Sequence, residues 1–130
     1  MTDHELETSI DSLALAPAGF THREHVQLAF AVLAAQPDFA AAAVRYRALL
    51  RRFAEAHGAA AKYHETITWA YLALIAERMH GREYASSAQL IADHPDLLDH
   101  RGGALARCYD IGELIASPLA RAVFVLPRRP

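Results

Sequence analysis

Two clusters of side chains carry the residue types and spacing for chemistry, His22-Arg23-Glu24-His25 and Lys62-Tyr63-His64-Glu65-Thr66. His22 and His25 are three residues apart, so on a helix both imidazoles lie on one face. A mononuclear transition-metal site needs about three imidazoles, or imidazoles plus a carboxylate, converging at roughly 2.0–2.2 Å from the ion. His22, His25 and His64 can supply that set for one iron, copper, manganese or zinc ion. Glu65 then acts as a fourth ligand, a general base or an orienting partner, and Tyr109 as a second group that moves a proton or positions substrate. Tyr63, Thr68 and Tyr71 are the candidate pocket residues, with Trp69, Phe30 and Tyr46 supporting the walls. The positive ends of two helix dipoles oppose a cation here unless Glu24, Glu65 or another anion compensates.

Both clusters open strongly apolar segments, and those segments must position them. Thr21 and Glu24 have the spacing of a capping box, which predicts a helix from about His22 to Gln36, before Pro37. Between Val26 and Ala35 only Gln27 is polar, so this helix is central. Asp38 caps a second helix from Phe39 to about His57, ended by Gly58. A third, from Ala60 to His80 and closed by Gly81, has only Thr68 as an obviously polar residue between Ile67 and Ala76, which makes it the second central helix. Shorter helices follow over about Ser87–Asp93, over Leu97–Arg107 where Gly102 and Gly103 weaken it, and from Pro118, capped by Ser117, to about Phe124. The fold class is all-α, an irregular bundle of about five to six helices in one domain over residues 1–130. Residues 1–18 read as partly irregular and 127–130 as a tail.

Short connections at Pro37-Asp38 and Gly58-Ala59 favour an up, down, up order, which brings the starts of the first and third helices to one end of the bundle. His64 and Glu65 then match His22 and His25 in depth. His57 is drawn to the same end, and whether it or His22 joins the site is left open.

Known motifs narrow the chemistry. His64-Glu65-Thr66-Ile67-Thr68 begins like a zinc-protease motif but has Thr68 where the second ligand must be. Glu77-Arg78-Met79-His80 matches one half of a di-iron pattern without a second copy, and His80 is better placed to favour the helix C-terminal dipole. Cys108 reads as a buried apolar thiol rather than a nucleophile, since no histidine is spaced to activate it. Arg45, Arg47, Arg51 and Arg52 have the charge to hold a phosphate but read as solvated helix surface.

Thirteen basic residues, twelve of them Arg, against fifteen acidic ones leave a formal charge of −2. That balance gives no reason to expect nucleic acid or an anionic membrane as a partner. One cysteine and an acidic start without signal-peptide character point to the cytoplasm, and no apolar run reaches membrane-spanning length.

The succession Phe20-Thr21-His22-Arg23-Glu24-His25, Lys62-Tyr63-His64-Glu65-Thr66, Asp99, Tyr109, Ser117-Pro118 and Ala120-Arg121 resembles a group of small uncharacterised bacterial all-helical proteins. The likeness runs from about Gly19 to Pro127. It implies one intact small domain and marks the two histidine clusters, without a reaction.

The leading expectation is a small soluble metalloenzyme, an oxidoreductase or lyase acting on a small organic metabolite, with its oligomeric state open, a homodimer included. Its alternative is a noncatalytic helical module that binds a small ligand or a protein, with the histidines forming a hydrogen-bonded network at the helix ends. A metal-free acid/base enzyme built on His64 and Glu65 is the third reading.

Overall fold

The computed structural model describes residues 1–99, 101 and 103–127. The expectations for Gly102 and for the tail beyond residue 127 lie outside the described residues. Seven α-helices form among the described residues: α1 Asp3–Asp11, α2 His22–Ala35, α3 Phe39–Ala56, α4 Glu65–Met79, α5 Ser87–Asp93, α6 Ile111–Ala116 and α7 Pro118–Ala122. Short 3₁₀ turns cover Pro17–Gly19, Ala60–Lys62, Pro95–Leu98 and Ala104–Arg107. No strand is present among them, so the all-α expectation holds.

The long helices start and stop where local chemistry dictates. Asp38 Oδ1 accepts from the Ala41 amide at 2.8 Å, capping α3. At the other end Gly58 takes φ 67°, the Ala59 amide reaches Ala54 O at 2.7 Å and the Gly58 amide reaches Glu55 O at 3.3 Å. This paired closure requires a left-handed residue that glycine adopts without strain. Ser117 caps α7 as expected, its hydroxyl accepting from Ala120 N at 3.0 Å.

Several boundaries differ from the expectations. The segment read as irregular holds α1, whose start is a complete capping box between Thr2 and Glu5. The capping box expected at Thr21 is not formed: its hydroxyl donates to the Glu24 carboxylate, and no side chain caps α2. The helix expected from Ala60 begins only at Glu65, with a 3₁₀ turn and an extended Tyr63-His64 pair ahead of it. Where a helix over 97–107 is expected, the described residues form two 3₁₀ turns, Pro95–Leu98 and Ala104–Arg107. A side chain at Gly103 would collide with the carbonyl oxygens of Asp96 and Asp99, so the backbone there packs closer than any other residue allows. α6 was not expected and is capped by Asp110, which accepts from Glu113 N at 3.0 Å.

One continuous core joins these pieces. Val26, Leu28, Ala29 and Val32 of α2 are fully buried, as are Leu72 and Ile75 of α4, and α1 adds Leu6 and Ile10. This agrees with α2 and α4 as the central apolar helices. Partners between helices run in opposite sequence directions: Phe20 meets Phe53 and His25 meets Tyr46, while Arg47 meets Glu65 and Arg51 meets Tyr63. Hence α3 lies antiparallel to α2 and to α4, and α2 and α4 run the same way, as their short connections require. No helix among the described residues is long and apolar enough to cross a membrane.

Candidate functional site

The start of α4 is where the chain concentrates its polar chemistry. Tyr63 (φ −62°, ψ 136°) and His64 (φ −131°, ψ 111°) are extended, and successive side chains of extended backbone point to opposite sides. Tyr63 and Glu65 remain half-buried, whereas His64 and Thr66 are buried. The motif therefore has two faces.

The buried face fastens the C-terminal segment to the bundle. His64 is the N-cap of α4: its Nδ1 accepts from the Ile67 amide at 3.1 Å. That bond places the ring proton on Nε2, which donates to Leu114 O of α6 at 2.8 Å. Burial lowers the imidazole pKa below its ordinary value, and the bond to Leu114 only partly offsets this. The Thr66 hydroxyl, fully buried, lies 2.7 Å from Ala120 O and 2.8 Å from Val123 O as donor, and accepts from Val125 N at 3.1 Å. Thr68 turns its hydroxyl back to His64 O at 2.8 Å.

The open face forms a small recess of about 230 Å³ lined by Arg47, Arg51, Tyr63, Glu65, Arg121 and small alanines. Arg47 Nε donates to both Glu65 oxygens at 2.9 and 3.1 Å, and Tyr63 Oη donates to Oε1 at 2.6 Å. Burial alone would raise the Glu65 pKa, but the bonds from Arg47 and Tyr63 outweigh it and hold the carboxyl below the usual range. The Tyr63 phenol is pushed up to about 12, first by burial and then by donating to Glu65. The Arg51 guanidinium sits 5.6 Å over the Tyr63 ring. Arg121 of α7 donates to Ala61 O at 3.0 Å, Tyr63 O at 3.3 Å and Ile115 O at 3.3 Å.

The three imidazoles proposed as ligands are not brought together. His22 Nε2 lies 2.8 Å from Leu97 O and 3.1 Å from the Tyr71 hydroxyl, so it faces the middle of α4. Tyr71 follows His64 by seven residues, about 10 Å along a helix at roughly 1.5 Å per residue. His25 stacks flat on Phe20, ring centroids 4.0 Å apart and planes 2° apart, with Nδ1 2.8 Å from Thr21 O. This is the staple arrangement of the residue before a cap with the fourth helical residue. His57 does reach the same end, its ring 4.5 Å from that of Phe53, but within this aromatic cluster. His64 has no lone pair left for an ion, because one nitrogen accepts and the other carries the proton. Among the described residues, no group of three His, Cys, Asp or Glu is arranged to hold a metal. The donor set does not fit the expected ion.

The other candidates separate likewise. Tyr71 donates to Leu97 O beside His22, and Tyr109, buried, donates to Val125 O at 2.8 Å. Neither reaches Glu65. Tyr46 is buried in the core and Phe30 lines a different and larger groove, about 700 Å³, between the starts of α1 and α5 and the side of α2. That groove holds none of the candidate ligands, and Asp3 within it is occupied as the cap of Ser87, with bonds of 2.8 and 2.6 Å. Of the candidate ligand, catalytic and pocket residues, Tyr63 and Glu65 share a recess, and Arg47 and Arg51 line it with them.

In sequence Arg47 and Arg51 read as solvated helix surface, and Arg121 enters only through the resemblance. The available signal was the i, i+4 spacing of Arg47 and Arg51, which puts both on one helix face. No protein-family model, curated protein or solved structure matches this chain.

Proposed function

We propose that this protein is a noncatalytic helical module that binds a small ligand in the recess at the start of α4, and that its histidines serve the fold. The observation that carries this reading is the use of both His64 nitrogens, one as helix cap and one as a bond to Leu114 O. A group so held is neither a metal ligand nor an available base. Glu65 argues the same way against acid/base catalysis: a carboxyl held low by Arg47 and Tyr63 is a poor proton donor near neutral pH and a weak base. What the recess offers is recognition, through guanidinium groups, a phenol ring and room for a small group. A cytoplasmic setting suits the single free thiol of Cys108.

The metalloenzyme reading is the direct competitor, and metal analysis separates the two. Protein purified without nickel resin or chelator should carry no stoichiometric metal, and neither chelator nor iron, copper, manganese or zinc should shift its melting temperature. Near-stoichiometric metal that disappears in both His25→Ala and His64→Ala would sink the proposal.

A further inference from the structure

Three guanidinium groups and one carboxylate line the recess, a surplus of two positive charges in a chain whose formal charge is −2. We infer that the recess holds the phosphate group of a small phosphorylated molecule, with Arg47, Arg51 and Arg121 meeting its oxygens and the Tyr63 ring walling its organic part. The inference rests on the reading of this recess as the binding face.

The donors needed are present and not exhausted. Glu65 engages only Nε of Arg47, leaving the terminal Nη groups outside that pair. The acid nearest Arg51 is Glu55, at 4.0 Å, beyond hydrogen-bond reach. Arg121 spends three N–H bonds on carbonyls of Ala61, Tyr63 and Ile115, out of roughly five donors that a guanidinium carries. Those same bonds hold it in place, so it meets a ligand already ordered. Planar guanidinium forks match phosphate oxygens in geometry and charge, and three of them suit a dianion with three terminal oxygens.

Size and charge distribution point to a small ligand. The recess, at about 230 Å³, falls below the roughly 300–1,000 Å³ of sites that enclose drug-sized molecules. It therefore takes a headgroup, with Ala60, Ala61 and Ala122 leaving space around it. Nucleic acid would call for an extended basic stripe, whereas Arg45 and Arg52, the other arginines of α3 first considered for phosphate, are tied to Glu7 and Asp11.

The test is an amide chemical-shift titration of the full chain with inorganic phosphate and with phenyl phosphate, against sodium chloride at equal ionic strength. Saturable shifts at Tyr63, Glu65 and Ala122 are expected, with phenyl phosphate the tighter of the two. Arg51→Gln should weaken binding by about tenfold or more, the loss of one charge-assisted bond, and Arg51→Lys should restore part of it. Arg51 is exposed, so the spectrum of the variant should stay otherwise unchanged. Vesicles with and without phosphatidic acid distinguish the source: Arg51-dependent capture by the acidic vesicles alone, without phenyl phosphate binding, assigns the phosphate to a lipid headgroup. No saturable shift and no such capture, or binding indifferent to Arg51→Gln, overturns the inference. A neutral or cationic ligand saturating the same amides would overturn the phosphate assignment and leave the binding module standing, while stoichiometric metal at His25 and His64 would remove the module itself.

Discussion

At the entrance to α2, Thr21 and Glu24 bond to each other and His25 lies flat on Phe20; at the entrance to α4, His64 caps Ile67 and reaches across to Leu114. The residue types are alike, and both helices go on to form the centre of the core. The difference lies in where the imidazoles fall, at the cap itself in α4 and within the helix in α2, and in what packs outside each entrance. α2 too is entered through a 3₁₀ turn and two non-helical residues, Phe20 and Thr21, but its imidazoles lie within the helix, where His25 folds back on Phe20 and His22 reaches the Tyr71 hydroxyl and Leu97 O. α4 is entered through two extended residues, which send His64 and Thr66 toward the C-terminal segment and Tyr63 and Glu65 toward the recess. A cluster of imidazoles thus acquires its role from the direction its backbone gives it.

The strongest way to break this comparison is to remove each imidazole in turn. His64→Ala should cost about 2–4 kcal/mol, combining a lost cap with a buried Leu114 carbonyl left unsatisfied. His25→Ala should cost only about 1 kcal/mol, the scale of a stacked ring pair. Urea unfolding of the two variants checks the contrast, and equal costs would mean that the two entrances are equivalent. Thr66→Val, which strips the hydroxyl from three backbone partners, should fall near His64→Ala at about 2–3 kcal/mol.

Acid sharpens the comparison next. Burial lowers the pKa of both His64 and His25 below the ordinary imidazole value. Their unfolded counterparts take up protons near pH 6.5 (roughly) while the folded forms resist until lower pH, so the unfolded state binds more protons in that window. Stability is therefore complete above about pH 6.5 and is lost as pH falls toward the depressed folded values. Urea midpoints between about pH 7.5 and 5 should decline, and His64→Asn, which keeps a capping acceptor without a titrating ring, should flatten the decline. A decline of the same slope in this variant would assign the acid sensitivity elsewhere.

The smallest expected effect concerns the cap that is not formed. Thr21→Ala should cost less than about 0.5 kcal/mol, against about 1 kcal/mol for Asp38→Ala at a cap that is made. Thermal or urea unfolding resolves the pair, and a larger loss at Thr21 would show that α2 depends on a capping bond after all.

The sequence alone determined the all-helical class, the two apolar helices at its centre, the caps at Asp38 and Ser117, the stop at Gly58 and the parallel course of α2 and α4. These follow from local rules: apolar periodicity, side chains that bond nearby amides, glycine at left-handed turns, and loops too short to allow another order. It carried the Thr2-x-x-Glu5 signal of α1 as well, although that stretch reads as irregular by composition. Tertiary structure alone decided the rest. Where His64 points depends on two extended residues and on α6, fifty residues further along, whose carbonyl it meets. Whether Arg47, Arg51 and Arg121 are surface or site depends on α3 and α7 meeting at the start of α4. Spacing along a chain fixes which side chains share a helix face, but convergence between elements depends on the axial offset of packed helices, and no local pattern encodes the offset that separates His22 from His64.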